Sequence, residues 1–125
     1  MIRVKATVRG EPDVLPFTRV FDSDEEIFFS SSDMVQEKIQ RNMKINANEA
    51  LITYCSYVVK SIRAGRQDAD IQKGAPKILS AAHVMIGVPE TLRVITVEAI
   101  IDSKAARKIT LKEPIPTSSY IMAGY

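Results

Sequence analysis

One segment limits the possible folds more than any other. From Ala47 to Ala64 the sequence predicts a helix whose apolar residues occupy most of its circumference: Leu51, Ile52, Tyr54, Cys55, Val58, Val59 and Ile62. A helix with one apolar stripe can lie on a surface. One that is apolar nearly all round must be central to a core or covered by a partner subunit. Its ends are marked. Asn46-Ala47-Asn48-Glu49 supplies a polar cap with a carboxylate three residues on. Arg63 followed by Gly65 is a stop signal. The chain has 125 residues, 46% of them hydrophobic and 26% charged, which is enough for one domain with a modest core.

Strands flank this helix in sequence. Ile2, Val4, Ala6 and Val8 alternate with Arg3, Lys5, Thr7 and Arg9, the period of a half-buried strand. Gly10-Glu11-Pro12-Asp13 is turn chemistry, and Val14 to Phe21 is a second apolar run. Pro16 makes that run an edge strand or an irregular extended segment. A lone hairpin is marginal in water, so this one must pack on the rest of the chain or on a partner. Towards the C-terminus, Ile95, Val97, Ala99 and Ile101 alternate with Val94, Thr96 and Glu98 within Leu92 to Ile101. Asp102 to Lys108 reads as a polar loop, and Ile109 and Leu111 as a returning strand. Pro114-Ile115-Pro116 ends regular structure, and an extended tail is expected from Thr117 to Tyr125.

Between the strands the sequence predicts helices. Ser23-Asp24-Glu25-Glu26 has the form of a capping box, with Ser23 as N-cap. Phe28, Val35, Ile39 and Met43 follow at helical spacing, weakened locally by Ser30-Ser31-Ser32. Asp68 to Leu79 is a weaker helix, with a break expected near Gly74 and Pro76. Ser80 caps a short helix through Met85. In Val84-Met85-Ile86-Gly87-Val88-Pro89-Glu90, Gly87 is expected to end that helix with a positive φ. Pro89 is expected to bar a new helix and push Val88 into extended backbone. Hairpin, helices, hairpin is the order of an α+β domain. The divisions fall at residues 1–22, 23–116 and 117–125.

The side chains that carry chemistry are sparse. His83 is the only histidine and Cys55 the only cysteine. Nickel and zinc centres use several such ligands, so a complete site in this chain is not expected; a ligand shared across a subunit interface is the minority reading of His83. Cys55 lies in the most apolar helix and reads as a buried hydrophobe, since a reactive thiolate needs an electropositive, accessible site. Asp24, Glu25 and Glu26 suit a helix N-terminus without any cation. Gly65-Arg66-Gln67-Asp68 is a turn with no phosphate-loop pattern. Tyr54 and Tyr57 read as packing residues in preference to base-stacking platforms. The net charge of +2 and pI of 8.7 come from cations spread along the chain, which predicts a solvated mixed-charge surface over a nucleic-acid stripe. No apolar run approaches the roughly 18 residues that span a membrane, and Met1 to Ala6 lacks a signal-peptide core. With a single cysteine, these features point to the cytoplasm. The large apolar faces point to an obligate assembly.

From about Phe28 to Pro116 the chain resembles the gamma subunit of urease. The matching stretches are Ile45-Asn46-Ala47-Asn48-Glu49-Ala50-Leu51-Ile52, Ala64-Gly65, Lys77-Ile78-Leu79, Val84 to Glu90, Val97-Glu98-Ala99 and Pro114-Ile115. The resemblance implies a helical α+β domain with a C-terminal β-hairpin. Here an N-terminal β segment is added to it, so that 1–22 is an extension, 23–116 the urease-gamma-like domain and 117–125 a tail. It also implies a subunit of a nickel hydrolase that splits urea into ammonia and carbamate. In that family gamma carries no nickel ligand and no catalytic residue; these lie on the large alpha subunit, and gamma helps to build a trimeric assembly. Catalytic, cofactor and metal residues are therefore expected to be none in this chain.

Four departures from the family pattern stand out. About 20 β-rich residues precede the first helix, Ile86 stands where an acidic residue is usual, Asp102 to Arg107 replaces a Pro-Asp-Gly turn, and Pro76 enters a helix that is normally free of proline. The leading expectation is a non-catalytic structural subunit with urease alpha-type and beta-type partners and copies of itself. The alternative is a scaffold or accessory subunit of another complex; a small nucleic-acid-binding protein is a distant third. The extension is expected either to join the C-terminal hairpin in one mainly antiparallel sheet or to pair with a neighbouring subunit.

Overall fold

The N-terminal alternation becomes strand β1, Ile2–Arg9, with its odd positions outward and its even positions inward. A computed structural model describes residues 2–12 and 14–116. In it β1 pairs antiparallel with β2, Phe17–Ser23, on one side and with β3, Val94–Ile101, on the other. Strand β4, Arg107–Lys112, completes a four-stranded sheet in the order β2-β1-β3-β4. The N-terminal hairpin thus joins the C-terminal hairpin within the same chain. Because β1 has a neighbour on both sides, its backbone groups are paired within the sheet.

Register decides what faces the core. Val4 lies opposite Phe21 and Ala99, and Val8 opposite Phe17 and Ile95. Residues directly opposite share a face. The inner face therefore carries Ile2, Val4, Ala6 and Val8, then Ile95, Val97, Ala99 and Ile101, then Ile109 and Leu111, all buried. Helices cover this face alone, giving a two-layer α+β fold. Helix α1, Glu25–Gln40, and helix α2, Ala47–Arg63, lie against each other. α2 buries Ala50, Leu51, Tyr54, Cys55, Val58 and Val59 completely, as its apolar circumference requires. Phe28 of α1 stacks edge-on against Phe21 of β2 at 6.1 Å between centroids, which ties the N-terminal hairpin to the helical layer.

The ends of α2 form as their sequence dictates. The Asn46 side chain accepts from the Glu49 N–H at 2.8 Å, and the Glu49 carboxylate accepts from the Asn46 N–H at 3.1 Å. Two otherwise orphaned donors are thereby satisfied. Helix α3, Asp68–Gly74, gives way to a 3-10 turn over Ala75–Lys77, so the expected break falls at Gly74 and Pro76.

Other local expectations need correction. The cap of α1 is Asp24, whose side chain makes no capping hydrogen bond; Ser23 is the last residue of β2, paired with Ile2, so the sheet ladder claims the expected cap. Glu25 and Glu26 still place negative charge at the positive helix end. The serine triplet does not interrupt α1: the Ser31 hydroxyl donates back to the Ile27 carbonyl at 3.1 Å, and Ser32 is buried. Met43 lies beyond the helix, because Asn42 takes a left-handed conformation at φ 59° that stops it. The short helix after Ser80 ends at His83 as a 3-10 turn, and Val84 is extended. Gly87 has a positive φ of 91°, but it opens a helical turn, α4, Val88–Thr91, instead of closing one. Pro89 sits in the first turn of α4, where the missing N–H has no helical partner to lose. β3 starts at Val94, not Leu92. The expected extended tail, Thr117 to Tyr125, lies outside the described residues.

Candidate functional site

The polar side chains of the interior are used for structure. The Tyr54 hydroxyl donates to the Pro114 carbonyl at 2.8 Å, fastening the chain after β4 to α2. Burial pushes its phenol well above the usual range. The Tyr57 hydroxyl donates to the Ile71 carbonyl at 2.7 Å, and the Arg66 guanidinium lies 5.8 Å from its ring centre. Both tyrosines are thus engaged in packing. Cys55 is fully buried, and burial pushes its thiol up to about 12, far from a nucleophile's range.

His83 and the acidic cluster have local explanations. His83 Nδ1 lies 3.1 Å from the Ser80 backbone N–H, where it accepts as the last residue of its 3-10 turn. Glu25 pairs with Arg63, which also reaches Asp102 at 3.5 Å. Arg107 pairs with Asp68, and Arg93 holds Glu11 at 2.5 Å and Glu113 at 3.1 Å. Among the described residues, no three of His, Cys, Asp or Glu are grouped so as to hold a metal ion. The donor set does not fit a nickel centre: one imidazole caps a turn and one thiol is buried in a helix.

Two surfaces remain as candidates. The outer face of the sheet is open, with no helix over it. Lys5, Glu98 and Lys108 lie in register across β1, β3 and β4, so charge alternates along that row. The next row is Thr18, Thr7, Thr96 and Thr110. The aromatics of β2, Phe17 and Phe21, face inward, so this face offers no platform on which bases could stack.

The second surface is an apolar groove of about 590 Å³ beside the junction. Its position is fixed by a parallel bridge between Ile45 and Val84: the Ile45 N–H donates to the His83 carbonyl at 3.0 Å, and the Met85 N–H to the Ile45 carbonyl at 2.9 Å. The left-handed Gly87 then turns the chain, and the Thr91 hydroxyl donates to the Gly87 carbonyl at 2.9 Å. Ala82, Val84, Met85 and Pro89 line the groove, with Lys44 and Glu90 at its walls. Ile86, fully exposed, lines it as well. A sequence reading that placed Met85 in a helix missed this surface. Its only signal was a pair of adjacent apolar residues, Met85-Ile86, directly before Gly-Val-Pro.

Comparison with known proteins decides the family. The model of "Urease, gamma subunit" matches residues 20–115. The chain belongs to the urease gamma subunit family. It is 33% identical over 92 residues to a urease subunit gamma of Halalkalibacterium halodurans, covering 73% of this chain and 91% of that one. It is 29% identical over 92 residues to that of Paracoccus denitrificans, covering 73% and 88%. To that of Cereibacter sphaeroides it is 28% identical over 94 residues, covering 75% and 93%. β1 and the turn after it precede the residues that the urease gamma model matches. No helix among the described residues is long and apolar enough to cross a membrane.

Proposed function

We propose that this chain is a non-catalytic structural subunit of a urease-type nickel hydrolase complex, in which a large partner holds the nickel and splits urea into ammonia and carbamate. The observation that carries this reading is the urease gamma match, which covers residues 20–115 of this chain and nearly all of its relatives. The donor chemistry supports it, since the single histidine and single cysteine are both engaged elsewhere. On this reading the chain has no catalytic, cofactor or metal residue of its own. Its partners are urease alpha-type and beta-type chains and further copies of itself in a trimeric assembly, within the cytoplasm. Residues 1–22 act as an extension added to a gamma domain of residues 23–116.

The extension favours one second reading. β1 lies outside the matched residues and yet fills the sheet beside β3, so the assembly surface here differs from that of a domain without it. That suits a gamma-like scaffold in another complex. Purification of the full chain with its native partners separates the two. Mass identification of alpha-type and beta-type urease chains, with nickel and urea hydrolysis in the complex and neither in the isolated chain, is the expected result. A partner set without a metallo-hydrolase supports the scaffold, and nickel held by the isolated chain after chelation overturns both.

A further inference from the structure

The two edges of the sheet are finished differently. α3 covers the outer edge of β4: the Gln72 side chain donates to the Thr110 carbonyl at 3.0 Å, and Arg107 pairs with Asp68. Among the described residues, no strand pairs with the outer edge of β2. Open edges are normally blunted by a bulge, a lysine, a proline or a very short strand. Phe17–Ser23 has none of these: its seven residues pair with β1 in unbroken register, and Val20 at its centre is half exposed. Its one cation, Arg19, lies over the Phe17 ring at 5.0 Å from the centroid. A second feature lies under the same strand. Phe21 of β2, Ile27, Phe28 and Ser31 of α1 and Ile52 of α2 enclose a mainly apolar hollow of about 220 Å³, where Ile27 is 59% exposed.

We propose that β2 accepts an added antiparallel strand from a different polypeptide, one that carries an aliphatic residue and, two positions later, a carboxylate. In strand addition, main-chain hydrogen bonds hold the segment and pockets for alternate side chains select it. Both parts are present here. The free edge of β2 supplies the main-chain groups, already ordered by β1. Residues directly opposite share a face, and residues two apart share a face. Phe21 and Arg19 both face inward, opposite Val4 and Ala6 of β1. A partner residue opposite Phe21 therefore points into the hollow, and the residue two positions on points at Arg19. An aliphatic side chain in the first place removes Phe21 and Ile27 from water. A carboxylate in the second meets the guanidinium. A second copy of this chain is not the complement. The only carboxylate of β2, Asp22, faces outward opposite Arg3, so two β2 strands joined in one continuous sheet cannot bring it to Arg19. The contact does not depend on which complex the chain joins.

At 13.9 kDa the full chain suits amide-resolved magnetic resonance. The probe is a synthetic peptide of alternating threonine and valine with leucine-threonine-glutamate at its centre. Its addition should shift the amides of Phe17 to Ser23 and slow the exchange of every second one, while those of Arg107 to Lys112 stay unchanged. The same peptide N-methylated along its pairing edge should not bind. Ile27→Asp should weaken binding about tenfold or more, and Arg19→Glu about fivefold. Both side chains stand in solvent, so melting temperatures should not move. A peptide with lysine in place of glutamate should recover the loss in Arg19→Glu. No saturable binding up to about 1 mM peptide overturns the proposal. So does binding indifferent to N-methylation or to Ile27→Asp, or a lysine peptide that fails to recover. Protection of the same amides without peptide gives the edge to another occupant and equally overturns it: a second copy if it rises with protein concentration, the chain's own residues 117–125 if it does not.

Discussion

β1 and α2 both place fully inaccessible side chains in the core, and they stand differently to the family match. α2 lies within the residues matched to the urease gamma family; β1 lies before them. Yet Val4 and Ala6 of β1 are as inaccessible as Leu51 and Val58 of α2, all at 0% exposure. A strand is not peripheral merely because the family match begins after it. Once it pairs with β3 and turns its even positions inward, its side chains become part of the same core. The difference lies in how each is held. α2 forms its own backbone hydrogen bonds and caps itself; β1 depends wholly on its neighbours in the sheet.

The largest expected effect tests whether both elements belong to one core. Val58→Asp and Val4→Asp should each unfold the chain, seen as loss of the cooperative thermal transition. An unpaired buried charge costs several kcal/mol against a typical total of about 5 to 15. If Val4→Asp leaves the melt unchanged, β1 is a separable appendage. Ile52→Asp should be milder, since Ile52 is only partly buried at the margin of α2. Gly10→Ala comes next. A Cβ there would meet the Glu90 and Thr91 carbonyl oxygens at 2.7 Å, so the end of β1 must shift away from α4. A loss of about 1 to 3 kcal/mol by chemical denaturation is expected.

A smaller effect probes the self-capped end of α2. Asn46→Ala should cost about 1 kcal/mol, read as a lowered denaturation midpoint. Glu49 in the same cap adds a pH signature. Burial opposes its charge, but hydrogen bonds from Lys38 and the Asn46 N–H outweigh that and hold its carboxyl below the ordinary value of 4.5. A group depressed in the folded state stabilises above its unfolded value and loses that contribution as pH falls through the folded one. Stability should therefore decline below about pH 4.5, and Glu49→Gln should flatten that part of the profile. The smallest effect is Val20→Lys on the exposed edge of β2, expected within about 0.5 kcal/mol by the same measurement.

Periodicity made both elements legible in the sequence. Ile2 to Arg9 could hardly be other than a half-buried strand, and the apolar circumference of Ala47 to Arg63 demanded a central helix. What periodicity left open was partnership: β1 could have joined β3 in its own chain or in a neighbour, and only the three-dimensional register with Ala99 and Ile95 decides. Cap positions were less legible. Ser23 has the right chemistry for a cap, but its backbone is claimed by Ile2. Pro89 has the right chemistry for a break, but in the first turn of α4 it costs nothing. The groove at Met85 and Ile86 was invisible for a related reason: it depends on the bridge between Ile45 and Val84, which are 39 positions apart and carry no local signal.

Amide hydrogen exchange on the full chain tests most directly the claim that this is a gamma domain completed by its own N-terminal strand. Amides of Arg3 to Val8 have a strand on either side, and those of Leu51 to Val59 lie in the interior of α2. If one cooperative core holds both, they should exchange only through global opening, at matching free energies. Val4→Ala should lower the two sets together. Slow exchange in α2 beside fast exchange throughout Arg3 to Val8 would contradict the account and leave β1 an appendage on a core that stands without it.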